Sequence, residues 1–228
     1  MFVSKSMTRN VITVQPEDRV LLAQERIREH NIRHLPVVDD EMRLVGILSD
    51  RDIRSALPDS LFKILDLTGK EVDVIKNLKV ADVMHPDPLA LSPVDTIQDA
   101  LLIIQKEKIG ALPVVDGENR LKGILTTRDL LRTFINVLGI NEPGTLLGIL
   151  SENKLGQMKK IVDIITEEKI STGSILVARH WDGDKRGVFP YLLAHNLQGV
   201  KEKLVKAGFE LMDPLEWQID ELHRGSKG

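Results

Sequence analysis

The chain contains no cysteine among its 228 residues. That excludes disulfides, thiolate metal sites and thiol nucleophiles, and it fits a reducing compartment. Aromatic residues make up only 4%, so the cores have to be built from Val, Ile and Leu. Positive and negative side chains nearly balance, 31 against 34, for a net charge of −3. A nucleic-acid binder would show a basic excess or stripe instead. No apolar run approaches the roughly 20 residues of a membrane span, and the opening MFVSKSMTRN lacks the apolar stretch of a secretion signal. The expectation is a soluble cytoplasmic protein with neither nucleic-acid nor membrane partners.

Catalytic signatures are missing as well. Thr68-Gly69-Lys70-Glu71 ends like a phosphate-binding loop, but Ile64 stands where its first glycine belongs. Glu71 cannot replace the magnesium-binding hydroxyl of such a loop. Of the six histidines, at 30, 34, 85, 180, 195 and 223, only His30 and His34 are spaced as His-x-x-x-His, and no HExxH motif accompanies them, so no metal is expected. No serine sits in a nucleophile elbow, and His180-Trp181 reads as packing at a strand end. Neither an enzyme nor a catalytic cofactor is expected.

What the chain does have is a duplication. Shifted by 77 positions, residues 3–53 fall on 80–130 without a gap, and 20 of those 51 positions are identical. LPVVD occurs at Leu35–Asp39 and again at Leu112–Asp116. GILSDRD, Gly46 to Asp52, returns as GILTTRD, Gly123 to Asp129. Repeats of this kind are read before any local element.

Each copy reads as β-α-β-β-α. VITV and LALS are short extended runs. Ser92-Pro93-Val94-Asp95 predicts a helix start, with Ser92 as cap and proline at the first helical position. Val20, Ala23 and Ile27, echoed by Ile97, Ala100 and Ile104, mark one buried helical face. LPVV and then LVGIL or LKGIL are strands, and a second helix begins after Ser49 or Thr126. One copy can hardly cover its own apolar strands, so two should pack through their sheets into a single domain, 1–135. Within it, repeat one spans 1–57, a connector 58–79 and repeat two 80–135.

Ser-x-x-Asp at a helix start is close to a capping box, which needs no ligand. Written twice, each time behind a Gly-apolar strand and an LPVVD strand, it also suits a ligand cleft, and the two readings coexist. These motifs, with the Met7-Thr8 and Val83-Met84 openings, resemble a tandem of CBS domains, a Bateman module. The resemblance implies a regulatory module that binds adenosyl compounds (AMP, ADP, ATP or S-adenosylmethionine) in clefts between the repeats. By that resemblance Asp52 and Asp129 would hold ribose, and Ser49 and Thr126 would face ribose or phosphate. Arg51 and Arg128 would add positive charge. Thr8 and His85 would touch ligand, while Thr13, Ala90, Ile32 and Ile109 would line the adenine. Arg33-His34 in repeat one stands where repeat two has Gly110-Ala111. The clefts are therefore expected to be unequal, the first better suited to a phosphate, although a solvated strand entrance would also explain the cations.

After a linker at 136–144, residues 145–215 read as β-α-β-β-α-β, a ferredoxin-like sandwich, with a loose tail at 216–228. Asp182-Gly183-Asp184-Lys185 is a hairpin turn, Pro190 suggests an edge position or a bulge, and Asn196 is a helix cap. The order is similar to an ACT domain. The loop Asn153-Lys154-Leu155-Gly156 keeps that family's Asn and Gly and loses its proline. Asn153, Gly156 and Ser171 are the candidates for amino-acid binding or for a homodimer interface; which of the two stays open. The expected fold class is α/β (α+β), a pseudo-twofold CBS pair followed by an ACT-like domain. That domain order is similar to bacterial acetoin-utilisation proteins. The expected function is a non-catalytic sensor with an adenine nucleotide as regulatory ligand, and the alternative is a ligand-free oligomerisation scaffold.

Overall fold

The computed structural model describes residues 1–57 and 77–212. Residues 58–76, with Thr68-Gly69-Lys70-Glu71, and residues 213–228, with Trp217 and His223, lie outside the described residues. Two compact units divide the chain at Leu131/Arg132.

The first unit runs α1 (Val20–Glu29), β1 (His34–Val38), β2 (Leu44–Ser49), α2 (Asp50–Ala56), β3 (His85–Pro86), α3 (Ile97–Glu107), β4 (Ala111–Val115) and β5 (Leu121–Thr126). It enters α4 (Thr127–Leu138), whose last residues take up the start of the expected 136–144 linker. The repeat is visible in the pairing. β1 runs antiparallel to β2 and β4 to β5, with matching registers that slip at Val37/Val38 and at Val114/Val115. The aspartate of each LPVVD builds the turn that follows. Asp39 Oδ1 accepts the N–H groups of Glu41 and Arg43, and Asp116 Oδ1 those of Glu118 and Arg120. The Lys122 ammonium and those backbone donors hold the Asp116 carboxyl down to about 2.

The first helix of each copy starts later than the sequence suggested. Ser92-Pro93-Val94-Asp95 is a separate turn in which the Ser92 N–H donates to Asp95 Oδ2 at 2.7 Å. Thr96 caps α3 in a capping box with Asp99. The reason lies in the carbonyls. Those of Pro93 and Asp95 accept from Ser4 and Val3, and in the other copy those of Pro16 and Asp18 accept from Ala81 and Val80. A carbonyl engaged in that way does not join a helical ladder.

Those four bonds show that the copies exchange their opening segments. Val3 is fully buried in the core built by Leu91, Ile97, Leu112 and Leu125 of repeat two. Val80 is fully buried among Val14, Val20, Leu35 and Leu48 of repeat one. The strand edges follow: β3, from repeat two, pairs with β2 of repeat one, and Thr8 of repeat one bridges Ile124 of repeat two. Gly46 and Gly123 permit the crossing. A Cβ on Gly46 would lie 2.5 Å from Met84 Sδ, and one on Gly123 2.6 Å from Met7 Sδ. A further apolar cluster holds Val38 and Leu44 of repeat one against Leu121 and Val115 of repeat two.

The second unit continues with β6 (Thr145–Leu146), β7 (Ile149–Glu152), α5 (Gln157–Glu167), β8 (Thr172–Asp182), β9 (Lys185–Leu192), α6 (Gln198–Lys206) and β10 (Glu210–Leu211). The five-stranded antiparallel sheet is ordered β10-β7-β9-β6, and β8 pairs with β9 as well. Ile149, Ile161, Ile165, Val188, Leu192, Val200 and Leu204 form its core. Pro190 is not on an edge strand: β9 has partners on both sides. The expected TLLGILS strand is broken at Leu147-Gly148, and Leu147 donates to the Pro190 carbonyl at 3.0 Å. The reciprocal bond that proline cannot donate falls at that break. The Asn196 side chain accepts the Gln198 N–H at 3.1 Å at the start of α6.

Candidate functional site

Each GIL-[ST]-x-x-Asp segment ends a strand and opens a helix, and it does so through its own side chains. In repeat one, Asp52 Oδ2 accepts from the Ser49 N–H at 2.8 Å and from Ser49 Oγ at 2.5 Å. The Asp52 N–H donates back to Ser49 Oγ at 3.3 Å. Repeat two copies this: Asp129 Oδ2 accepts from the Thr126 N–H at 2.9 Å and Oγ1 at 2.6 Å, and the Asp129 N–H returns to Oγ1 at 3.2 Å. The capping box exists in both copies.

It engages one carboxylate oxygen. The other oxygen meets the exchanged segment. Asp52 Oδ1 lies 3.1 Å from His85 Nε2, and Thr8 Oγ1 donates to Asp129 Oδ1 at 3.2 Å. The openings therefore serve crosswise, Thr8 with Asp129 and His85 with Asp52. Burial pushes the Asp52 carboxyl up, but the Ser49 hydrogen bonds and the His85 imidazole outweigh it and hold the group below its ordinary value. Asp129 is buried and Asp52 half-buried.

The remaining candidates take their places around these two centres. Thr13 is half-buried, and the Arg26 guanidinium holds its carbonyl; repeat two has Ile103 in place of Arg26. Ala90 packs at the contact between the repeats. Ile32 and Ile109 pack against the cores of their own copies. Arg51 and Arg128 are exposed on the first turns of α2 and α4. Backbone bonds tie the strand entrances to the helix starts: the Asp50 N–H donates to the Arg33 carbonyl at 3.0 Å and the Thr127 N–H to the Gly110 carbonyl at 3.1 Å.

A carboxylate that holds its helix start through one oxygen can accept from a vicinal diol through the other without losing the capping box. The paired Met7/Gly123 and Met84/Gly46 contacts that carry the crossing were visible in the sequence as identical residues. Their pairing across copies was not. Among the described residues, no group of three His, Asp or Glu side chains could hold a metal ion, and no described helix is long and apolar enough to cross a membrane.

In the second unit the candidates do not converge. Asn153 and Gly156 lie in the exposed loop before α5, where Gly156 takes a φ of +86°. Ser171 follows that helix, which at 1.5 Å per residue is about 16 Å long.

The family profile of the CBS domain matches residues 3–59 and 80–136. The chain belongs to the CBS domain family. Its CBS pair is 32% identical to CBSX2 of Arabidopsis thaliana, whose crystal structure is a complex with AMP. That match covers 59% of this chain and 96% of that one, with a TM-score of 0.50. A putative acetoin utilization protein from Vibrio cholerae is 30% identical over 63% of this chain and 98% of its own, with a TM-score of 0.52. The inosine-5'-monophosphate dehydrogenase of Methanocaldococcus jannaschii is 37% identical over 124 residues, which is 54% of this chain and 22% of that enzyme. The likeness to the enzyme is thus confined to the CBS pair and spans about a fifth of it.

Proposed function

We propose that this chain is a non-catalytic sensor whose CBS pair binds an adenine nucleotide in two clefts, one at Asp52 and one at Asp129. The supporting observation is the division of labour at each aspartate: Oδ2 caps the helix, while Oδ1 faces the exchanged segment. A helix cap alone needs no second chain segment aimed at its other oxygen. The AMP complex of the similar CBSX2 supports the same ligand class, with ADP, ATP and S-adenosylmethionine as further candidates. The half-buried Asp52 and the Arg33 cation, with the His34 imidazole beside it, favour the first cleft for a phosphate-bearing ligand.

The second unit is read as an ACT-like domain over 145–215, on the support of its antiparallel sheet of five strands and of a β-α-β-β-α-β order once β6 and β7 are taken as the two pieces of one broken strand. It passes the ligand-induced change to a homodimer partner or a target, with an amino acid at Asn153-Gly156 as the second ligand. The likeness to the Vibrio cholerae protein supports a setting in acetoin use. A change is transmitted only if the ligand binds two conformations unequally.

The buried Asp129, with its cap complete and Thr8 on its other oxygen, favours a second reading, a scaffold whose clefts stay empty. Thermal unfolding with AMP, ADP, ATP, S-adenosylmethionine and amino acids separates the two. A ligand at about 100 times its dissociation constant stabilises by roughly 2.7 kcal/mol, a shift of several degrees. No shift with any adenosyl compound leaves the scaffold.

A further inference from the structure

Among the described residues, the buried Nε–H of Arg186 meets no acceptor, although part of the residue stays accessible to solvent. A guanidinium keeps its charge at any pH the protein meets, and a cation drawn out of water without a partner is costly. In a native structure such a group marks a site of function or of strain. The sheet fixes where it points. Arg186 is in register with Ser151, as Val188 is with Ile149. Side chains alternate along a strand, so Arg186 shares the face of Val188 and Ile149, which packs on Ile161 and Ile165 of α5. Ser151 is buried there, and its hydroxyl turns to the Glu152 carbonyl at 3.3 Å.

The carboxylates nearby are engaged elsewhere. Glu152 and its register partner Lys185 alternate to the opposite face. Lys154 takes the Glu152 carboxylate at 2.7 Å, and Lys185 pairs with Glu210 at 2.7 Å. The Lys154 ammonium, with help from Lys185 and Lys160, holds the Glu152 carboxyl below its ordinary value, so the field acting on this corner is positive. From Ser151 the chain turns through 153–156 into α5. The helices that open at Ser49, Thr96 and Thr126 carry capping boxes. α5 carries none: Gly156 stands at its cap without a side chain, and its first turn holds no acidic residue. Its first N–H groups and the positive end of its dipole are therefore answered by no capping side chain.

We propose that Arg186 is the carboxylate anchor of a small-molecule site at the 153–156 loop, its planar fork offering two parallel N–H groups to the two oxygens of an amino acid. The inference rests on the reading of this unit as an amino-acid sensor and deepens it by naming the group that takes the carboxylate. Thermal unfolding of the full chain is followed with each proteinogenic L-amino acid, with the carboxamide of any that stabilises, and with inorganic phosphate. The stabilising amino acid should shift the midpoint by several degrees. The shift should vanish for its carboxamide and in Arg186→Met, and Arg186→Lys, a cation without the fork, should keep only part of it. Methionine retains an apolar stem and removes the unpaired donor, so ligand-free Arg186→Met should have a higher urea midpoint than the unaltered chain. A lower midpoint makes Arg186 a structural residue and overturns the inference. An amino acid that stabilises Arg186→Met as much as the unaltered chain overturns it while leaving the sensor reading in place. Stabilisation by phosphate and by no amino acid overturns the carboxylate class. No stabilisation by any of these compounds overturns the sensor reading and the inference with it.

Discussion

Thr8 and Asp129 stand 121 positions apart, and the threonine hydroxyl donates to the aspartate Oδ1 at 3.2 Å. The bond joins the opening of the first copy to the helix start of the second, so it forms only when the two copies are folded together. Thr8→Val removes it and should cost about 1 kcal/mol, the usual net worth of such a bond. Asp129→Ala should cost more, because it also removes the carboxylate half of the capping box and leaves the Thr126 N–H and hydroxyl without their acceptor, at about 1 kcal/mol for each lost bond. Urea denaturation measures both. Equal costs for the two variants would mean that Asp129 contributes no cap.

The exchange of openings makes a stronger claim about the chain start. A residue three positions from the N-terminus is ordinarily loose, yet Val3 is fully buried, as is its counterpart Val80. Val3→Ala and Val80→Ala should therefore destabilise alike, by about 2 kcal/mol each, as expected for deleting two buried methyl groups. If Val3→Ala costs under about 0.5 kcal/mol, the value of an ordinary surface change, the opening segment does not belong to the core of repeat two.

Gly46 and Gly123 give a third test. A methyl on either meets a methionine sulfur, which can move, but it also meets a backbone carbonyl that moves less readily. That carbonyl is His85 O at 3.1 Å for Gly46 and Thr8 O at 2.9 Å for Gly123. Each alanine variant should lose roughly 1–3 kcal/mol by overpacking, Gly123→Ala more than Gly46→Ala. Stability curves for the two variants read the order directly. Neutral substitutions would mean that the crossing strands do not approach as closely as described.

How far the sequence alone could reach follows from these particulars. The duplication was legible because 20 identical residues in 51 survive at one fixed offset. The paired strands and both second helices were legible because apolar runs end at Ser49 and Thr126, which favour helix caps. The crosswise pairing was not. Met7 and Met84 are identical, so the letters cannot say which glycine each one faces. The late start of α3 was hidden for a related reason: Ser92-Pro93 has the chemistry of a helix start, but its carbonyls are taken by residues about 90 positions earlier in the sequence. In the sequence Pro190 reads as an edge position or a bulge, whereas β9 has partners on both sides and the irregularities lie in its neighbours, a break between β6 and β7 and a register shift at Thr172/Ser174 of β8. The His34 ring packs on Gly110 of the other copy, where an added Cβ would lie 2.9 Å from its Cε1, and such a tertiary contact leaves no local pattern.

The pH dependence of stability provides a last test, and its sign can be worked out. Burial holds His34 below its ordinary imidazole value of 6.5. Below about that pH the unfolded chain takes up the proton more readily than the folded one, so stability falls as pH drops. Asp52 is also held low, but from an ordinary value of 3.8, and its contribution is intact until pH falls through that range. Between pH 7.5 and 5.0 the two groups therefore separate, and only His34 changes the balance. Urea midpoints of the unaltered chain and of His34→Gln at those two pH values isolate its share, since the other five histidines are common to both. The unaltered chain should lose more stability on acidification than the variant. If both lose the same amount, the His34 ring is not shielded from water, and its contact with Gly110 does not hold in solution.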